Sequence, residues 1–172
     1  MAKTLDEKAS TTFNSYHVGI AAESFAAGLL ARSGYEVLVQ YGANQPLYDL
    51  VAVKGKRIIK VSVKGTQLAG WQMTGGFKKG RSYAKAAEAW LQKHGDDLVF
   101  MFVQFLGVPL GDMPEVFVAR AHEVAAHLKA GKRGGGDTTL RWKHSWRRGP
   151  ATGCTDSVPE TWRFTQKRID SV

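Results

Sequence analysis

Apolar residues recur at helical spacing in "SYHVGIAAESFAAGLLAR", where Ala22, Phe25, Ala26 and Leu29 form one stripe at about 100° per residue. Asn14 or Ser15 can cap the start, and Ser33-Gly34 can end the run, so a helix is predicted over about 15–32. Glu23 falls on the rim of the stripe, a half-covered carboxylate rather than one on the wet face. After Gly34 the period changes to two. Strands are predicted at about Tyr35–Tyr41, Tyr48–Val53 and Arg57–Lys64, the first two joined by the loop "GANQP". "KGK" reads as a hairpin whose turn is Gly55-Lys56, with Lys54 facing Arg57. In that register Asp49 stands opposite Ser62 and shares its side of the sheet with Lys60 and Lys64. Ile59, Val61 and Val63 then take the other face, where a helix can cover them. A three-residue turn would slip the register by one and turn Asp49 away.

The stretch "GTQLAGWQMTGGFKKG" is rich in glycine and lysine and reads as a flexible basic loop. A helix follows at about Ser82–His94, with Tyr83, Ala87, Trp90 and Leu91 inward. "DLVFMFVQF", Asp97–Phe105, is almost unbroken in its apolar character, as a central strand buried on both faces requires. "EVFVA" is a further short strand. "RAHEVAAHLKAG" is a helix with Val124 and Leu128 on one face, stopped by Gly131. The expectation is one α/β domain with a central mixed sheet of four to five strands flanked by helices. Residues 1–14 read as a flexible N-terminus, 15–131 as the core, and 132–172 as a basic, Trp-containing extension packed on the same domain.

Composition narrows the partner more than the fold. Of 172 residues, 44% are hydrophobic and 23% charged, ordinary for a globular chain. The single cysteine, Cys154, excludes an internal disulfide framework and a multi-cysteine zinc site. No apolar run approaches the ~20 residues of a membrane helix, and the first ten residues lack a signal-peptide core. A cytoplasmic setting with no membrane partner is expected. Twenty-four Lys and Arg against fifteen Asp and Glu give a net charge of +9, which favours a polyanion. A basic domain whose charge is incidental is the plain alternative.

Several chemistries fail on spacing. The five histidines, His17, His94, His122, His127 and His144, have no ligand-like neighbours, and His122 and His127 are poorly spaced for one ion on a helix. Ser62 and Lys64 would sit ~7 Å apart on a strand with no oxyanion loop evident, a weak nucleophile pair. "GGFKKG" and "KRGGGD" match neither a P-loop nor a dinucleotide fingerprint. Asp49 with Lys64 makes better sense. A carboxylate can hold Mg²⁺, and a neighbouring lysine can orient a water or stabilise charge on phosphate. Spacing alone supports equally a strand whose Lys60 and Lys64 are simply wet.

A helix carrying Glu23, then "GANQPLYDLVAV", a hairpin and "IIKVSVKGTQ" together resemble the PD-(D/E)XK nuclease superfamily, especially its small resolvase-like and restriction-like members. The likeness covers about residues 16–67. It implies a restriction-endonuclease-like fold and Mg²⁺- or Mn²⁺-dependent hydrolysis of DNA, on branched or other structured substrates. By the same resemblance Glu23 is the helix acid, Asp49 the central metal ligand and Lys64 the catalytic lysine, with the Val63 carbonyl a further ligand. The second acid of the motif is Ser62 here, a neutral and weaker ligand. A relative that binds nucleic acid without cutting it therefore stays open, as does a protein-binding structural module.

The last feature is a basic and aromatic stretch, in which Trp142 and Trp146 alternate with Arg141, Lys143, Arg147 and Arg148. With Lys60, Lys78, Lys79 and Arg81 these are the expected DNA contacts, arginine and lysine on phosphates and tryptophan on an unpaired base. The alternative is that the two tryptophans pack the extension onto the domain or onto the second subunit of a homodimer.

Overall fold

A computed structural model describes residues 14–39 and 47–172 of the chain. The predicted N-terminal segment up to residue 13, the "GANQP" loop and the end of the first strand at Tyr41 lie outside the described residues. Among the described residues, nine strands and five α-helices follow in order. They are α1 (Ser15–Arg32), β1 (Glu36–Val39), β2 (Leu50–Lys54), β3 (Arg57–Thr66), β4 (Gly70–Gln72), α2 (Gly75–Lys78), α3 (Tyr83–His94), β5 (Val99–Gln104), β6 (Glu115–Arg120), α4 (Ala121–Ala130), β7 (Thr139–Arg141), β8 (Lys143–Ser145), β9 (Thr155–Ser157) and α5 (Gln166–Ser171).

The main sheet has five strands in the order β1-β2-β3-β5-β6 and is mixed: only β3 and β5 run parallel. This is the α/β single-domain architecture that the alternation of periods implied. β5 is buried at every position and feeds both faces of the sheet. Val99, Met101 and Val103 join Ala22, Ala26 and Leu30 of α1 and Ile169 of α5 on one side. Phe100 and Phe102 join Trp90 of α3 and Val124 and Leu128 of α4 on the other. Each fully buried side chain of this size contributes roughly 1.5–3 kcal/mol, so this strand anchors the domain.

The Asn14 side chain caps α1 by accepting from the Tyr16 and His17 amides at 2.8 and 3.1 Å. Its fully covered stripe is Val18, Ala22, Ala26 and Leu30, so the helix is turned slightly from the predicted face, and Phe25 and Leu29 are only half-buried. The cause is a close approach: a Cβ on Gly65 of β3 would lie 2.6 Å from the Ala22 Cβ and 2.8 Å from the Val18 carbonyl oxygen. Small residues therefore take the contact line. The β2–β3 hairpin has the expected register, Lys54 opposite Arg57 and Leu50 opposite Val61, closed by Gly55 at φ 62°. Glycine at the first turn position with positive φ suits a two-residue hairpin.

The segment expected to be a flexible basic loop is instead ordered structure. β3 runs on through Thr66, β4 pairs with β7, and α2 is a single helical turn. Trp71 and Met73 are buried and Thr74 is fully enclosed. Gly70 serves this pairing, since a Cβ there would meet the Leu140 carbonyl oxygen at 2.5 Å. After β9 the chain crosses the β6 edge, where the Phe164 amide donates to the Val116 carbonyl at 2.8 Å. Trp162 is thus buried on one face of the sheet, and Ile169 and Val172 on the other.

Candidate active site

β2 and β3 part company at Leu50–Val61, and everything of chemical interest on β3 comes after that fork. Ser62 to Thr66 pair with β5 alone, Ser62 beside Phe100 and Lys64 beside Phe102. Asp49, the residue before β2, leaves the ladder: its amide donates to the Val61 carbonyl at 2.8 Å, one step out of register. Its side chain then replaces the missing strand. Oδ2 accepts from the Val63 amide at 2.6 Å and from the Ser62 hydroxyl at 3.3 Å. N–H and C=O of one strand residue face the same edge, so the Val63 carbonyl also opens toward Asp49. The expected ladder pair of Asp49 with Ser62 is thus absent, since the register holds only as far as Leu50–Val61, but the Asp49 side chain still meets Ser62, and Lys64 shares the Ser62 side by the strand period. Ser62 is 2% exposed, not a wet position.

Glu23, on α1, lies near enough to the fork for its carboxyl to feel the charges of both Asp49 and Lys64. Its carboxyl is held above the ordinary range by burial first and by the Asp49 charge second, while Lys64 opposes both. The eight ion pairs among the described residues all lie elsewhere, so Glu23, Asp49 and Lys64 form an electrostatically coupled set without direct pairing. A carboxyl whose ionisation a neighbouring carboxylate opposes marks a place that a hard cation would relieve. Among the described residues no three His, Cys, Asp or Glu side chains converge, so this is a two-carboxylate site at most. That donor set fits Mg²⁺, which uses one or two protein carboxylates and keeps several waters. Asp49 Oδ1, Glu23, the Val63 carbonyl and the Ser62 hydroxyl are the oxygens that could hold it.

No family model matches the chain, and no curated protein does. The functional reading therefore rests on the geometry of the fork.

The expected DNA contacts fall into separate groups. Lys60 is exposed, with its ammonium 5.4 Å from the Tyr48 ring, close along the strand to the fork. Lys78, Lys79 and Arg81 lie at the end of α2, Lys78 donating to the Arg81 carbonyl at 2.6 Å and Arg81 to the Phe77 carbonyl at 3.2 Å. Lys143, Arg147 and Arg148 are exposed in the extension. Its two tryptophans are tied down. The Trp142 indole N–H donates to Glu115, and that of Trp146 donates to Asp156 at 2.6 Å. Trp142 packs beside the core of the α3/α4 face. Both rings carry cations, Lys143 over Trp142 at 4.7 Å and Lys132 over Trp146 at 4.7 Å. Their geometry is that of packing residues.

Two placements near the site were not legible in the sequence: the His94 environment, and the meeting of Arg141, an expected DNA contact, with Lys64. His94 packs on Trp90 at 4.5 Å, its Nδ1 against the Trp90 carbonyl at 2.8 Å. Burial is the main reason its imidazole is held below the ordinary range; the Trp90 hydrogen bond opposes this, and the charges of Lys93 and then Lys64 add to it. Arg141 and Lys64 line one cleft, although they come from β7 and β3. Nothing local to either residue signals that meeting. No helix among the described residues is long and apolar enough to cross a membrane.

Proposed function

We propose that the β2–β3 fork is the active site of a metal-dependent DNA phosphodiesterase of the PD-(D/E)XK type. The observation that carries this reading is Asp49, Ser62 and Lys64 on one side of the fork, with the Glu23 carboxyl electrostatically coupled to Asp49 and Lys64 from α1. Asp49 closes the open edge of β3 by accepting from the Val63 amide, but that role needs neither a second acid close enough to be disfavoured by it nor Lys64 on the same side.

Bound Mg²⁺ or Mn²⁺ would polarise a phosphate oxygen and make a bound water acidic. Asp49 and Glu23 supply the negative charge that would hold the ion, with the Val63 carbonyl and Ser62 hydroxyl as neutral donors. The Val63 amide and Ser62 hydroxyl fix the Asp49 carboxylate by holding Oδ2, which leaves Oδ1 for the ion. Lys64, on the Ser62 side of the fork, would set its charge against that building on the transferring phosphoryl oxygens, and it can also orient the attacking water. As the water oxygen bonds to phosphorus, the bond to the leaving sugar oxygen breaks, and that oxygen takes up a proton. The charge of +9 supports a DNA partner through counterion release.

Nicking of supercoiled and branched DNA with Mg²⁺ and Mn²⁺ tests the proposal. Wild type should cut. Asp49→Asn and Lys64→Met should each lower the rate by about 10²–10³, the scale of losing one transition-state contact, while keeping DNA affinity. Asp49→Asn cutting as fast as wild type would assign the cleavage elsewhere. One observation favours a second reading, a DNA-binding protein that no longer cuts: Ser62 leaves only two carboxylates at the fork. That reading predicts binding without nicking. Under both, affinity falls with salt at a log–log slope of about −0.9 per phosphate contacted, and an isotherm indifferent to salt would remove DNA as the partner.

A further inference from the structure

The cleft that starts at Lys64 has a second basic end. Lys64, Thr66, Leu68, Trp71, Gln72 and Arg141 line it, with a volume of about 400 Å³. That is the low end of the range for pockets holding one small organic ligand, about 300–1,000 Å³. One nucleotide fits such a space; a duplex does not.

Arg141 is set in advance for an anion. Asp137, only 4% exposed, accepts its Nε–H at 2.9 Å, and the guanidinium centre lies 5.2 Å from the Trp146 ring. Asp137 is itself fixed by the Thr138 and Thr139 amides at 2.7 and 3.2 Å. Burial alone would raise its carboxyl, but the Arg141 hydrogen bond and charge, the Thr139 amide and Lys132 together hold it below the ordinary range. With Nε committed, the terminal amino groups of a pre-oriented guanidinium remain to grip a phosphate.

Leu68 is the other unusual member. It is 74% exposed, yet the turn that carries it is pinned at three points. The Leu68 amide donates to Thr66 Oγ1 at 3.0 Å, and the Trp142 amide donates to the Ala69 carbonyl at 3.0 Å. The fully buried Gln104 donates to the Leu68 carbonyl at 2.9 Å and accepts from the Leu106 amide at 2.8 Å. A single exposed leucine is ordinary on a protein surface. One held rigidly beside a cleft, four residues after the candidate catalytic lysine, is poised as a wedge.

We infer that this cleft seats one unpaired nucleotide of the strand being cut. Arg141 takes the phosphate of that nucleotide, and Leu68 stands against a neighbouring base as apolar wedges do between base steps. The inference rests on the nuclease reading of Lys64 and names its substrate class: DNA that is single-stranded, or frayed at a fork or flap, at the point of cleavage.

The test is binding in EDTA, with no cleavage required. The probes are a single-stranded oligonucleotide, a flap and a blunt duplex, each carrying the fluorescent base 2-aminopurine. Wild type should bind the single strand and the flap in preference to the duplex, and the 2-aminopurine signal should change in the unpaired substrates alone. Leu68→Ser should weaken the unpaired substrates by about tenfold, the scale of one lost base contact, and leave duplex affinity unchanged. Arg141→Gln should do the same, and Arg141→Lys should recover only part of the loss. Because Leu68 is exposed, its variant reports even if the Arg141 variants misfold. Equal losses on duplex and single strand, or no loss, would overturn the inference. A wild type that nicks in an Asp49-dependent way while Leu68→Ser binds normally would defeat the wedge and leave the nuclease standing. The reverse pattern, no nicking but Leu68-dependent binding of unpaired DNA, would keep the seat and discard the nuclease.

Discussion

Ser62→Asp returns the missing acid to the fork, and the structure sets what that should cost. The Ser62 hydroxyl lies 3.3 Å from Asp49 Oδ2, at a position 2% exposed. A carboxylate in its place can retreat only slightly, to about 4 Å, where two like charges repel by about 4 kcal/mol at an effective dielectric of 20. The variant also loses the donor that Ser62 now supplies. Without metal, Ser62→Asp should therefore be about 3–4 kcal/mol less stable at pH 7, unless one carboxyl takes up a proton, which costs a similar amount at that pH. For a domain of this size each kcal/mol moves Tm by about 2–4 °C, so the expected drop in EDTA is roughly 6–16 °C. Mg²⁺ should reverse much of it, because an ion bound only by the folded state stabilises by mass action. Thermal melts of wild type, Ser62→Asp and Ser62→Ala, each with EDTA and with a Mg²⁺ series, provide the assay. Ser62→Ala should lose only about 1 kcal/mol, that of one long hydrogen bond, and gain nothing extra from Mg²⁺. A Ser62→Asp protein as stable as wild type in EDTA, with no larger Mg²⁺ shift, would refute the idea that this position and Asp49 face one metal site.

Glu23→Gln should show a pH signature. The folded state binds the Glu23 proton more tightly than the unfolded state, so ionising it costs stability as pH rises above the ordinary 4.5. The variant should therefore melt above wild type in EDTA at neutral pH and converge with it as pH falls below 4.5; a gap constant with pH would contradict this. Gly65→Ala should lower stability by about 1–3 kcal/mol, because the new methyl meets the Ala22 Cβ at 2.6 Å and the Val18 carbonyl oxygen at 2.8 Å. Displacing α1 also moves Glu23, so nicking should slow beyond what the melt predicts, and Ala22→Gly in the same chain should recover part of both losses. Unchanged melting and activity in the Gly65→Ala variant would show that α1 does not sit so tightly on β3.

Much of this was legible along the chain. The Asn14 cap, the helix, the hairpin register from Lys54–Arg57 to Leu50–Val61, and the buried β5 all follow from signals a few residues long. Side-chain period, a capping oxygen and a glycine with positive φ act within one turn of chain, so a local reading captures them. The fork is different. That β2 ends at Leu50 while β3 continues, that the Asp49 carboxylate stands in for the absent strand, and that Ser62 is enclosed are results of β3 pairing with β5. The misread segment after Lys64 shows the same limit. "GTQLAGWQMTGGFKKG" has loop composition, and only the distant β7, with the space that Gly70 leaves for Leu140, makes part of it a strand. Arg141 reads locally as one more cation in a basic stretch; the buried Asp137 and the fold of β7 onto β4 bring it to the cleft of Lys64. Propensity and period are summed over neighbours in sequence, whereas burial and electrostatic coupling depend on which distant surfaces share the same space.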